Sequence, residues 1–168
     1  VAHAEGTPLY VYSRSCVERR YAALDRALGG YPHRLHYALK ANSTLELVRI
    51  IRALGGAVDA NSGGEIAVAL RAGIAPGDIV FTGVGKTAAE LDEALAVGVG
   101  TINAESLGEL GRIDRLARAR GVAARVAVRV NPDIDADSHP GISTGRRSHK
   151  FGVPLDHLSL KDVFIVRY

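Results

Sequence analysis

The chain has 168 residues, 47% of them apolar and 23% charged, with 19 glycines and 6 prolines. That balance is too apolar for a disordered tail and too polar for a membrane protein, and the length suits one domain better than two. Twenty-one basic against 18 acidic side chains leave a formal charge of +3, but no lysine or arginine tract is long enough to require nucleic acid.

The single cysteine, Cys16, excludes an intrachain disulfide framework and a cysteine-rich metal site. No apolar run approaches the roughly 20 residues of a membrane helix, and residues 1–8 do not resemble a signal peptide. A cytoplasmic location with no membrane partner is therefore expected, and the absence of methionine, even at residue 1, fits a trimmed chain. Only Lys40, Lys86, Lys150 and Lys161 among the 21 basic residues are lysines, so each carries more information than usual.

In chain order, Ser15 and Glu18 have the spacing of a capping box. They open a leading helix whose apolar face is Val17, Tyr21, Leu24 and Leu28, closed by Gly29 and Gly30. A short apolar strand is expected at 35–39. Ser43 and Glu46 then cap a helix with the stripe Leu45, Val48, Ile51 and Leu54, ended by Gly55 and Gly56. The unit repeats: a strand at 57–60 precedes the Ser62–Glu65 box, and a strand at 79–81 precedes the Thr87–Glu90 box. A strand at 99–103 precedes the Ser106–Glu109 box, and a last strand spans 125–130.

Strand starts lie 20 to 26 residues apart, the pattern of parallel strands joined by helical crossovers. Two α/β architectures satisfy it. A doubly wound open sheet needs no more than these strands, whereas a (β/α)8 barrel needs eight strands and about 250 residues. Length favours the open sheet. Residues 131–152 break the rhythm with a polar, turn-rich segment, a length that is often functional, and 163–166 has the character of a sixth strand.

Lys40 stands directly after the first strand, on the edge where both architectures bind ligands. An amine near low-dielectric walls can lose its proton and form a Schiff base; a snorkelling surface lysine is the plainer alternative. Asp59 occupies the equivalent edge of the second strand beside Gly63 and Gly64, so it could share a pocket with Lys40 or simply lead a helix. Arg129 lies at the same edge of the fifth strand and could meet an anion.

Other motifs are weaker. Gly83 to Thr87 ends like a phosphate-binding loop, but Val80 stands where the first glycine belongs, so a tight turn before a capped helix is expected. Asp133, Asp135 and Asp137 start a calcium-loop spacing that Ser138 and Thr144 break. His139 and His149 lack cysteine partners for structural zinc, and His33 and His36 merely flank a strand.

Taken together, several blocks bear a family likeness. Thr7 to Tyr12, His36 to Asn42, Ser62 to Glu65, Phe81 to Thr87, Asn103 to Ser106 and Val128 to Pro132 resemble, in order, the diaminopimelate decarboxylase branch of the pyridoxal-phosphate decarboxylases. The loop His139 to Gly145, followed by Lys150, Phe151 and Gly152, is the most particular of them. This resemblance implies an incomplete (β/α)8 TIM barrel of the alanine racemase-like type, roughly its first five or six strand–helix units, and so reverses the preference for the open sheet.

It also implies pyridoxal 5'-phosphate as cofactor, carried by Lys40, with Asp59, Glu65 and Arg129 around it and no metal. The implied reaction is decarboxylation of meso-2,6-diaminopimelate to L-lysine, in an enzyme that is a homodimer. The match covers about residues 7–155; 156–168 is an unassigned tail, and the family's C-terminal β domain is not represented. These 168 residues are accordingly expected to be inactive alone. Decarboxylation of arginine or ornithine, and a non-catalytic α/β scaffold or partner-binding fragment, are the competing expectations.

Overall fold

The computed structural model describes residues 1–134 and 151–157. The expected sixth strand, the second and third calcium-loop aspartates, His139, His149 and Lys150 lie outside those residues. A short helix α1 (Ala2–Glu5) and a longer α2 (Arg14–Leu28) lead into five strand–helix units. These run β1 (His36–Ala38), α3 (Leu45–Ala53), β2 (Ala57–Ala60), α4 (Gly63–Arg71), β3 (Ile79–Phe81), α5 (Ala88–Val97), β4 (Thr101–Ala104), α6 (Leu107–Arg120) and β5 (Val126–Val128).

The five strands form one parallel sheet in the order β1-β2-β3-β4-β5. Strand order that follows chain order decides between the two architectures. A doubly wound sheet reverses direction at a switch point, whereas here every crossover steps the same way, as in a barrel. Each helix from α2 onward packs on the next, α2 on α3 through to α5 on α6. The five units thus wind as the first part of a (β/α)8 barrel does.

Strand alternation builds the core. Val58, Ala60, Ile79, Phe81, Ile102 and Ala104 face the helices and are 2% exposed or less. They pack against Val48, Ile66, Leu91, Leu95 and Ile113 from α3 to α6. Each fully buried side chain of that size contributes roughly 1.5–3 kcal/mol. Gly100 permits one tight contact here: a Cβ on it would lie 2.2 Å from the Gly77 carbonyl oxygen, and its own N–H donates to Pro76 and Ile79.

Three of the five helix starts keep the expected serine or threonine cap, and one of those closes as a full box, since Glu65 and Glu109 accept from Asn61 and Glu105 N–H instead of from their cap residues. Thr87 and Glu90 form a full capping box, and Ser62 and Ser106 accept from the N–H groups of Glu65 and Glu109. Helix α2, however, is capped by Ser13, whose Oγ accepts from Cys16 N–H, and not by Ser15. Ser13 has the extended backbone a cap requires, while Ser15 is already helical. Helix α3 begins after Thr44 with no side-chain cap; the Asn42 side chain accepts from Thr44 N–H at 2.9 Å and makes the turn. The Glu46 carboxylate pairs with Arg49 instead of closing a box.

The strand expected at 125–130 divides. After β5 the chain enters β6 (Val130–Asn131), which pairs in parallel with β7 (Val153–Pro154) in a second, two-stranded sheet. Arg129 is the splice between the sheets: its N–H donates to Ala104 of β4 at 2.9 Å, and its carbonyl accepts from Val153 at 2.7 Å.

Candidate active site

All five strands of the main sheet point their carboxyl ends at one cleft of about 490 Å³. Its lining is contributed in turn by Lys40 after β1, Asp59 of β2, Thr82 after β3, Asn103 of β4 and Arg129 after β5, with Ala127 and Val128 as the apolar part. These positions alternate with the helix-facing core row, one residue out of step, so one strand geometry serves both faces.

Lys40 sits in a single 3-10 turn, Leu39–Ala41. Leu39 anchors that turn in the core, 1% exposed. The Tyr37 hydroxyl closes it by donating to the Asn42 carbonyl at 2.9 Å, and burial raises the Tyr37 pKa above the ordinary tyrosine value. The Lys40 ammonium has no hydrogen-bond or ion-pair partner among the described residues.

The Asp59 carboxylate is aimed by its neighbours. The Thr82 hydroxyl donates to one oxygen, and Asn61 Nδ2 donates to the other at 3.3 Å. Thr82 in turn accepts from Asn103 Nδ2 at 3.0 Å. A hydrogen-bond chain therefore runs along the cleft floor from β4 through β3 to β2. Lys40 and Asp59 share the cleft as their strand positions suggested, without pairing directly.

Arg129, 36% exposed, has its Nη1 3.2 Å from Oε1 of Glu105, whose side chain is only 5% exposed. Its guanidinium stacks on Phe151, 4.8 Å from the ring centroid. Gly152 N–H also donates to Glu105, at 3.3 Å. Only glycine suits that approach, since Gly152 has φ +75° and a Cβ would meet the Arg129 carbonyl oxygen at 2.9 Å.

Glu65 stands apart from the other expected site residues. It lies in the first turn of α4, its carboxylate accepts from Asn61 N–H at 2.7 Å, and it does not line the cleft. Its influence reaches the cleft one step removed, through the loop carrying Asn61. Lys86 also differs from a phosphate-loop lysine: its Nζ is buried against Glu109 at 3.2 Å. Sequence reasoning missed Thr82, Asn103 and Glu105 as site residues. A usable signal existed for Asn103, a polar residue in an otherwise apolar strand at the same end as Asp59.

A lysine amine without partners among the described residues, a carboxylate held by two donors and a partly exposed guanidinium lie together over five consecutive strand ends, chemistry that could take a carbonyl-bearing anionic group. The chain belongs to the pyridoxal-dependent decarboxylases: residues 14–164 match the pyridoxal-binding domain of that family. The cofactor of that domain is pyridoxal phosphate, and Lys40, Asp59 and Arg129 fit it by donor chemistry.

Particular relatives sharpen this. The chain is 47% identical over 156 residues to diaminopimelate decarboxylase of Vibrio cholerae, covering 93% of this chain and 37% of that protein. It superposes on the crystal structure of Helicobacter pylori diaminopimelate decarboxylase complexed with L-lysine with a TM-score of 0.87. That match has 41% identity and covers 90% of this chain and 39% of that one. Against lysine/ornithine decarboxylase of Vibrio vulnificus, complexed with cadaverine, the TM-score is 0.65 and the identity 28%, over 74% of this chain and 33% of that one. The chain therefore spans well under half the length of each. Among the described residues, no helix is long and apolar enough to cross a membrane.

Proposed function

We propose that this chain is the cofactor-binding segment of an enzyme that decarboxylates meso-2,6-diaminopimelate to L-lysine, the last step of lysine biosynthesis, with Lys40 holding pyridoxal phosphate. The observation that carries the reading is the Lys40 amine at the end of β1, unpartnered among the described residues and lining a cleft whose floor is the Asp59 chain. A surface lysine on an ordinary strand end would not share its cleft with a carboxylate, a hydroxyl, an amide and a guanidinium from the next four strands.

In this reading Lys40 Nζ would hold the cofactor, and no ion pair among the described residues competes for it. The Asp59 carboxylate, aimed by Thr82 and Asn61, presents negative charge to the bound group. The Arg129 guanidinium, backed by Glu105 and Phe151, offers its exposed part to an anion. Glu65 stabilises the loop behind Asp59, and Ala127 and Val128 supply the apolar part of the lining. When bound, pyridoxal phosphate supplies the electron sink that makes carbon dioxide loss feasible.

The higher similarity to diaminopimelate decarboxylases than to lysine/ornithine decarboxylase supports the substrate assignment. A cytoplasmic homodimer with an amino acid substrate and no nucleic-acid partner belongs to the same reading. So does a requirement for more barrel than these 168 residues before carbon dioxide is released.

Incubation with pyridoxal phosphate, borohydride reduction and peptide mapping should place the label on Lys40. A folded chain that leaves Lys40 unlabelled overturns the cofactor assignment. In a longer protein carrying this chain, diaminopimelate should be decarboxylated in preference to ornithine or arginine, and the opposite preference overturns the substrate. A stable chain with no cofactor affinity at all would instead indicate a non-catalytic scaffold.

A further inference from the structure

We propose that the buried Lys86–Glu109 pair is a positioning device for the cleft floor, acting on Asp59 through Asn103 and Thr82; its link to the cofactor rests on the reading above. Lys86 follows the loop after β3, and its side chain is fully buried. An ammonium group has three protons to donate. Here it reaches three acceptors: the Gly83 carbonyl at 2.5 Å, the Asn103 carbonyl at 2.8 Å and Glu109 Oε2 at 3.2 Å. The Phe81 ring lies beside it, 5.6 Å from ring centroid to Nζ.

The acceptors are what make this more than an ion pair. Gly83 is the residue next to Thr82, and Asn103 is the donor to Thr82. One ammonium thus grips, from behind the sheet, the backbone of Asn103 and of Gly83, the residue after Thr82, so it holds the Asn103–Thr82 step toward Asp59 at both ends. Glu109 adds a third hold, since Oε2 also accepts from Glu105 N–H at 2.8 Å, and the Glu105 carboxylate carries Arg129. The pair therefore stands behind the two charged residues of the cleft that are not the amine itself, while Lys40 is untouched by it.

Burying a charge pair is a poor route to stability, because desolvation offsets much of the attraction. A purely structural anchor at this place needs only apolar side chains, whereas holding three backbone groups in fixed relation needs a charged one. Lys86 and Glu109 touch neither cleft nor ligand, so both are positioning residues.

The test compares Lys86→Met, Lys86→Arg and Glu109→Gln with the parent chain by two readouts. The first needs no cofactor: the Asn103 side-chain amide, followed by NMR, should be protected in the parent. It should exchange about tenfold faster or more in Lys86→Met, as expected when a charged hydrogen-bond anchor is lost. Lys86→Arg should recover part of that protection. Glu109→Gln, which keeps the shape and an acceptor, serves if Lys86→Met does not fold, and should loosen the same amide.

The second readout is the bound cofactor. Lys86→Met or Glu109→Gln should weaken pyridoxal phosphate binding about tenfold and alter its visible circular dichroism. Thr82→Val should give the same signature with the ion pair intact. Folded Lys86 and Glu109 variants that keep the Asn103 amide protected and the cofactor spectrum unchanged overturn the proposal. If the parent chain itself fails to take the cofactor on Lys40, the reading of the site fails, and the Asn103 amide alone still decides whether the pair positions the floor.

Discussion

The helix-facing side of the sheet carries Val58, Ala60, Ile79, Phe81, Ile102 and Ala104, all closed to solvent. The opposite side of the same strands carries Asp59, Thr82 and Asn103, linked by hydrogen bonds and open to a cleft. The two rows differ by a single residue of register, because side chains alternate along a strand. The lesson is a division of labour: one row supplies cohesion, and the other is relieved of it and can hold polar groups ready for a ligand.

The division can be broken most directly at Phe81. Phe81→Ala should cost about 3–5 kcal/mol of stability in urea unfolding, and a loss below about 1 kcal/mol would show that the helix-facing row does not carry the fold. Gly100→Ala should come next, at about 1–3 kcal/mol, since its new Cβ would overlap the Gly77 carbonyl and force the turn at Pro76–Asp78 to move.

A smaller effect tests how neighbouring units are tied at the loop end of the barrel. Glu90 accepts from Gly63 N–H at 2.9 Å and Thr87 N–H at 3.0 Å, so the start of α4 is bonded to the start of α5. Those N–H groups hold the Glu90 carboxyl below the usual glutamate value. A depressed carboxyl stabilises the fold above its unfolded pKa, and that contribution is lost as pH falls through the folded one. Glu90→Gln should therefore cost about 1 kcal/mol near pH 7, and the gap to the parent should close on acidification. A gap that widens in acid contradicts the assignment.

Lys40→Ala sits at the far end of the scale. With no partner to lose among the described residues, it should change stability by less than about 0.5 kcal/mol while removing borohydride-fixed cofactor. A large destabilisation would mean that Lys40 belongs to the cohesive part of the molecule after all.

Much of this is legible in the sequence. Strands at 57–60 and 79–81 are found where the apolar runs predicted them, and three of the five serine or threonine caps hold. Caps are local, decided within four residues, and the two that moved did so for local reasons: Asn42 made the turn before α3, and Ser13 preceded Ser15. The direction in which each crossover winds is not local. Periodicity alone could not separate a barrel from an open sheet; a family likeness was needed.

The same limit explains the partly read site. Lys40, Asp59 and Arg129 announce themselves by charge at strand ends. The partners that aim them do not: Thr82 lies 23 residues from Asp59, and Glu105 lies 24 from Arg129. Lys86 shows the same limit from the other side: the missing first glycine argued against a phosphate loop, but only the fold shows the ammonium spent on internal carbonyls. Chemistry that depends on pairing across strands becomes readable only once register is known.

The sequential strand order carries a kinetic consequence. His36 lies beside Ala57, Val58 beside Ile79 and Val80 beside Thr101, each pair 21 residues apart. No strand of the main sheet has to wait for a distant segment, so loop-closure entropy is nearly the same at every step and contact order stays low for a parallel sheet. A nascent chain can thus add one strand and its covering helix at a time as it is synthesised. Each new unit docks on an edge completed only moments earlier.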